Sequence, residues 1–196
     1  MISYWEEGCK FLLNNDSAFK KYYNLNHSLK LNKNKFDVLF KSICSQQISV
    51  SAAMSIYQNS KKIIGPINYE NFKSNRKLIS KLPISQNKKK SISSLIDNYH
   101  LVKKVKSSKN FLNEQPYDLI KIFGIGPWTI DMFSIFYLGL SNIKPMGDLG
   151  FINAYKKYYF DKNLINLNKN SLKWGNFSTI VTWYLWASYD SEPMYI

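Results

Sequence analysis

The stretch Gly124-Ile125-Gly126-Pro127-Trp128-Thr129 is the part of the chain best equipped to hold an anion. A short helix over 117–122 runs into Phe123-Gly124-Ile125-Gly126, and a second helix begins at Pro127. Proline is favoured at the first helical position because its missing N–H would go unpaired there anyway. The glycines allow a tight turn and leave the N–H groups of Gly124, Gly126 and Thr129 directed outward. Such groups at a helix N-terminus, aided by the dipole, suit a phosphate. The contact would be independent of sequence, because it grips a backbone phosphate only. A plain αα-hairpin closed by a glycine turn is the alternative reading. Five of the eight glycines (124, 126, 139, 147 and 150) fall within residues 124–150, so this window needs bare backbone. Two carboxylates belong to it. Asp131 lies early in an otherwise apolar helix, where an acid complements the dipole, and reads as structural. Asp148 directly precedes a helical stretch and is placed to cap it.

The elements that must position these groups are helices. Residues 36–44, 48–57, 89–102, 128–138 and 149–159 carry apolar side chains three and four apart, with polar ones between. The segment 177–187 is apolar nearly all round and should be buried. Alternation typical of strands is weak. Breaks fall at Gly65-Pro66, Leu82-Pro83, Gln115-Pro116 and Pro145. There is no internal repeat and no long linker. The expected architecture is all-α.

Composition narrows the function classes. With 196 residues, 45% hydrophobic and 16% aromatic, the chain has ample material for a core, which excludes a disordered protein. Cys9 and Cys44 are too few for a disulfide framework or a four-cysteine metal site, and His27 and His100 do not suggest a metal. No apolar run reaches the roughly 20 residues of a membrane span. The start MISYWEEGCKF carries Glu6 and Glu7 where a signal peptide would carry positive charge, so a soluble cytoplasmic protein is expected. A net charge of +14 points to a polyanion partner, nucleic acid above all. The same excess, almost all Lys, also fits the codon bias of an AT-rich genome. The run Lys88, Lys89, Lys90, Lys103, Lys104 and Lys106 reads first as a solvated face that can add non-specific affinity.

GIGPWTIDMF, followed by Pro145 and Met146-Gly147-Asp148-Leu149-Gly150, resembles the helix-hairpin-helix DNA glycosylases, and most of all their 3-methyladenine DNA glycosylase II branch. Phe36-Asp37-Val38-Leu39, Ser45-Gln46-Gln47-Ile48-Ser49, Ala52-Ala53, Trp174 and Trp183-Tyr184-Leu185-Trp186 match that branch as well. The resemblance runs from about Trp5 to Asp190. It implies that Asp148 is catalytic: as a damaged base leaves, positive charge develops on the sugar, and a nearby carboxylate stabilises it and orients the attacking water. It implies a base pocket lined by Trp128, Trp186 and Met132, where indole faces attract electron-poor alkylated purines. Met132 stands where relatives can carry an aromatic. Ile48 matches the wedge that fills the gap left by a flipped base, with Gln47 beside the orphaned partner. The carbonyls of Ile120, Ile122 and Ile125 match those that hold a monovalent cation, Na+ or K+, in relatives; no other cofactor is implied.

Relatives that also cut the strand place a lysine at the position of Trp128, so a monofunctional hydrolase is expected. No cysteine follows Asp148, whereas relatives with an iron–sulfur cluster carry four there. The chain departs from the family at Asn176 and Ser178, and at Pro83-Ile84-Ser85. The resulting expectation is two helical lobes, 35–137 with the hairpin 117–138, and 1–34 plus 141–196, with Asp148 in the cleft between them. The expected activity is excision of 3-methyladenine and 7-methylguanine from duplex DNA by a monomer. The alternatives are a non-catalytic DNA-binding hairpin protein, or a glycosylase for uracil, hypoxanthine or an etheno-adduct.

Overall fold

The computed structural model describes residues 2–24, 28–106 and 112–189; His27 lies outside them. Among these residues every regular element is helical. Ten α-helices follow in order: α1 Trp5–Asn15, α2 Lys35–Ser45, α3 Val50–Ile64, α4 Tyr69–Ser74, α5 Gln86–Asp97, α6 Tyr99–Lys104, α7 Pro127–Phe133, α8 Leu149–Tyr159, α9 Leu167–Leu172 and α10 Ser178–Ser188. No helix is long and apolar enough to cross a membrane, among the described residues.

α2 is the hub of one group of helices, packing on α3, α5 and α7. Its Phe36, Val38, Leu39, Phe40 and Ile43 are all fully buried, so its apolar face is wide enough to serve three neighbours. α10 is the hub of the other group, packing on α1 and α8. Every residue from Ser178 to Trp186 is buried, in line with its all-round apolar sequence. One continuous apolar core joins the two groups.

The helix ends follow local chemistry. Asn34, Ser49, Asn68 and Ser85 each accept a hydrogen bond from the backbone N–H three residues on, capping α2, α3, α4 and α5. Ser49 explains why α3 starts at Val50, two residues later than the apolar spacing suggests. The single helix expected over 89–102 is two, because the chain turns at Asn98, whose side chain donates back to the Ser94 carbonyl at 2.9 Å. The short helix expected at 117–122 is a 3-10 turn, Tyr117–Lys121. α7 continues through a π turn, Ser134–Leu138, which Gly139 ends in the left-handed conformation at φ 66°.

A buried polar knot ties the first residues to the last. Asp16 accepts from the N–H groups of Ala18 and Phe19, from the Tyr159 hydroxyl, and from Trp174 Nε1 at 2.9 Å. Tyr22 and Tyr159 share a hydroxyl–hydroxyl bond of 2.7 Å. Trp174, like Trp5 and Trp183, is a core residue. Replacing Asp16 by Ala removes the acceptor shared by the indole N–H, the phenol and two backbone N–H groups, so Asp16→Ala should lower unfolding free energy by roughly 2–4 kcal/mol. Urea denaturation followed by tryptophan fluorescence measures this loss.

Candidate active site

Asp148 caps α8, its Oδ1 accepting from the Phe151 N–H at 2.7 Å. Two indoles complete its shell. Trp128, in the first turn of α7, donates from Nε1 to Oδ2 at 2.9 Å. Trp186, near the end of α10, donates from Nε1 to Oδ1 at 2.8 Å. One carboxylate therefore receives three donors from three helices, and it marks the seam where the α2 and α10 groups meet. The third donor leaves acceptor capacity on Oδ2, and the group is half-exposed. This arrangement holds the carboxylate in a fixed position while leaving it partly exposed to solvent.

The other proposed pocket residues are placed differently. Trp128 is half-buried and keeps part of its ring accessible. Trp186 is only 2% exposed and Met132 1%, so neither shows a face to solvent in this structure. Trp186 is stacked on Phe136 (6.0 Å between centroids), and what it contributes here is its N–H to Asp148.

Asp131 is less inert than its sequence context implies. One turn along from Trp128, its Oδ1 accepts from Gln115 Nε2 at 2.8 Å. Its carboxyl is pushed up to about 6, chiefly by burial, with the Gln115 bond pulling it down and the negative charge of Asp148 adding to the rise. Asp131 thus belongs to the same electrostatic neighbourhood as Asp148.

The hairpin has the expected form. Gly124 adopts φ 85°, and a Cβ there would lie 2.0 Å from Ser91 Oγ, so only glycine fits. A Cβ on Gly126 would meet nothing within 4 Å, which leaves its backbone open to an approaching group. Thr129 is buried, and its hydroxyl accepts from Gln46 Nε2 at 3.1 Å; the accessible part of the anion site is Gly124 and Gly126. Ile48 is 39% exposed, next to Gln47 in a left-handed conformation at φ 59°.

Two contributors were not singled out from sequence. Gln46 bridges the Gln47 turn to the hairpin through the Gly124 carbonyl (2.9 Å) and Thr129. Lys88 donates to the carbonyls of Cys44 and Gln46. Neighbouring Lys89 is also engaged, on the Ser80 carbonyl at 2.6 Å. The basic run is therefore only partly a solvated face. A basin of about 740 Å³ lined by Arg76, Lys77, Lys89, Lys90 and Phe123, among others, borders the hairpin and does not include Asp148. Among the described residues no three His, Cys, Asp or Glu side chains cluster as metal ligands.

The raised Asp131 carboxyl has a consequence for stability. Its folded value of about 6 exceeds the unfolded value of about 4, so the native state binds the extra proton between them. Stability should fall as pH rises through this window, with the full penalty present above it. Asp131→Asn keeps an oxygen for Gln115 and removes the charge. Its melting temperature should exceed that of the wild type at about pH 8 and converge with it near about pH 4.

No family model matches the chain. Among related sequences, DNA-3-methyladenine glycosylase 1 of Schizosaccharomyces pombe is 26% identical over 176 residues, 85% of this chain and 77% of that protein. YfjP of Bacillus subtilis, provisionally assigned the same activity, is 37% identical over 75 residues, which span 37% of this chain but only 26% of that protein. Among solved structures, S. pombe Mag1 in complex with abasic DNA superposes with a TM-score of 0.73 at 22% identity, covering 92% of this chain and 95% of Mag1. The DNA-3-methyladenine glycosidase of Bacillus halodurans superposes with a TM-score of 0.71 at 24% identity, covering 92% and 88%. The chain is thus similar along most of its sequence to a DNA-3-methyladenine glycosylase, and it shares the all-helical fold of the solved 3-methyladenine glycosylase structures.

Proposed function

We propose that the protein is a monofunctional DNA glycosylase of the 3-methyladenine type, which hydrolyses the N-glycosidic bond of alkylated purines in duplex DNA. The observation that carries this reading is the Asp148 carboxylate, fixed by the two indoles and the Phe151 N–H and left half-exposed. A pure binding module has no use for an anion directed at the sugar, since DNA is itself an anion.

The chemistry follows from that geometry. N3- and N7-alkylated purines carry positive charge and are good leaving groups, so bond breaking needs little proton donation. What the transition state needs is compensation of the charge that grows on the sugar. Asp148 supplies it from a fixed position, and it can accept a proton from the water that attacks the sugar carbon. The indole donors hold the carboxylate so that no reorganisation is required as the charge develops. The accessible part of Trp128 offers a π face to a cationic base. At this position a lysine would attack the sugar; an indole does not, so the product is an intact abasic site.

Duplex DNA is the proposed partner and the monomer the proposed working form. The Gly124 and Gly126 N–H groups grip a backbone phosphate, and Ile48, with Gln47, fills the space vacated by the flipped nucleotide. The carbonyls of Ile120 and Ile125 receive no backbone N–H among the described residues, and that of Ile122 accepts one from Ile125 at 3.0 Å. This donor set suits a bound Na+ or K+ beside the phosphate, and replacing K+ by choline should then weaken DNA binding.

Asp148→Asn preserves the cap, because Asn serves that position equally well, but removes the charge. Release of 3-methyladenine or 7-methylguanine from methylated duplex should fall roughly 100- to 10,000-fold, with DNA binding retained. The wild-type product strand should stay uncut until alkali is added. Unchanged turnover would remove Asp148 from the mechanism. If the wild type frees neither base, the same assay on uracil, hypoxanthine and ethenoadenine duplexes decides between another lesion and a non-catalytic binder. Gly126→Asp introduces a carboxylate into open space and should fold normally. It should weaken binding to all duplexes alike, as read by fluorescence anisotropy across a salt series.

A further inference from the structure

The turn that carries Ile48 is held from two sides. On one side is Lys88, in the first turn of α5, which donates from Nζ to the Cys44 carbonyl at 2.7 Å and the Gln46 carbonyl at 2.8 Å. These carbonyls lie at the C-terminal end of α2, the negative end of its dipole, where an ammonium is favoured. The ammonium is partly desolvated, and burial lowers its pKa. On the other side, the Gln46 side chain donates to the Gly124 carbonyl at 2.9 Å and the Thr129 hydroxyl at 3.1 Å, both in the hairpin.

Between these anchors the chain takes an unfavourable path. Gln47 is held at φ 59°, which non-glycine residues adopt when their surroundings impose it. The left-handed step projects Ile48 outward, next to the exposed Val50 and Met54. An apolar side chain that must open a base step works only if it cannot recoil, because unstacking is uphill.

We propose that Lys88 and Gln46 are positioning residues that lock the Gln46–Ile48 turn to the hairpin, so that seating the hairpin on a phosphate drives Ile48 into the base stack. The inference rests on the glycosylase reading for its biological setting, and its measured step precedes the chemistry. Lys88 acts through the backbone of the turn; its Nζ is committed to carbonyls and makes no phosphate contact.

The experiment compares wild type, Lys88→Met, Lys88→Arg and Gln46→Ala on a duplex with 2-aminopurine beside an abasic analogue. The fluorescence rise on unstacking reports wedge insertion without requiring catalysis. Lys88→Met and Gln46→Ala should each reduce the insertion equilibrium roughly tenfold, since each loses hydrogen bonds at a strained turn. Single-turnover excision should fall in parallel, while affinity for undamaged duplex and its salt slope stay at wild-type values. Lys88→Arg, which keeps the donors, should recover most of the signal. Wild-type insertion by a folded Lys88→Met protein would overturn the proposal. So would a salt slope reduced by about one unit, which would make Lys88 a phosphate contact. If Lys88→Met does not fold, Gln46→Ala decides by the same readouts, wild-type insertion overturning the proposal. Absence of base release by the wild type would sink the glycosylase reading alone, because the unstacking signal is read separately.

Discussion

The arrangement of the whole molecule converges on one carboxylate and three hydrogen atoms. Asp148 is bound by an N–H from its own helix and by indole N–H groups from α7 and α10. Those helices belong to different packing groups, so the site exists only when both have formed and docked. The continuous core beneath them supplies the stability, and the hydrogen bonds supply the geometry. An anion held in this way has its position set before any substrate arrives.

The rest of the site distributes charge around that point. Asp131 lies close enough to feel Asp148, and burial together with that negative charge makes its ionised form costly. The hairpin contributes N–H groups without side chains, and Gly126 leaves the approach to them open. The strong positive charge of the chain is partly spent internally: Lys88 and Lys89 are engaged with backbone carbonyls, and Arg76 with Asp97.

Much of this was legible in the sequence, for reasons that can be named. Helix periodicity revealed α2, α8 and α10, because each buries a broad apolar surface, and the Gly-Ile-Gly-Pro string revealed the hairpin, because few other residues can make that turn. The cap position of Asp148 was readable for the same local reason. Contacts made at long range were not. Nothing in a run of lysines distinguishes Lys88 from Lys90, and nothing local tells that Gln46, instead of Gln47, reaches the hairpin. Trp186 was read as a stacking face because an indole has both a face and a donor, and packing against Phe136 decides which of them is presented. The division of 89–102 into two helices turned on one asparagine bonding back to Ser94, a competition that apolar spacing does not register.

The knot of Asp16, Tyr159 and Trp174 bears on how the chain is born. Helices α2 to α7 are contiguous in sequence and can begin to pack as they leave the ribosome. The first helix cannot finish its own packing then, because its helical partner α10 comes far later in the chain. It must wait, with Trp5, Cys9 and Leu12 uncovered, through most of translation. The helix that covers α1 is also the one that brings Trp186 to Asp148. A chain without α10 would carry the hairpin but not the assembled shell around Asp148.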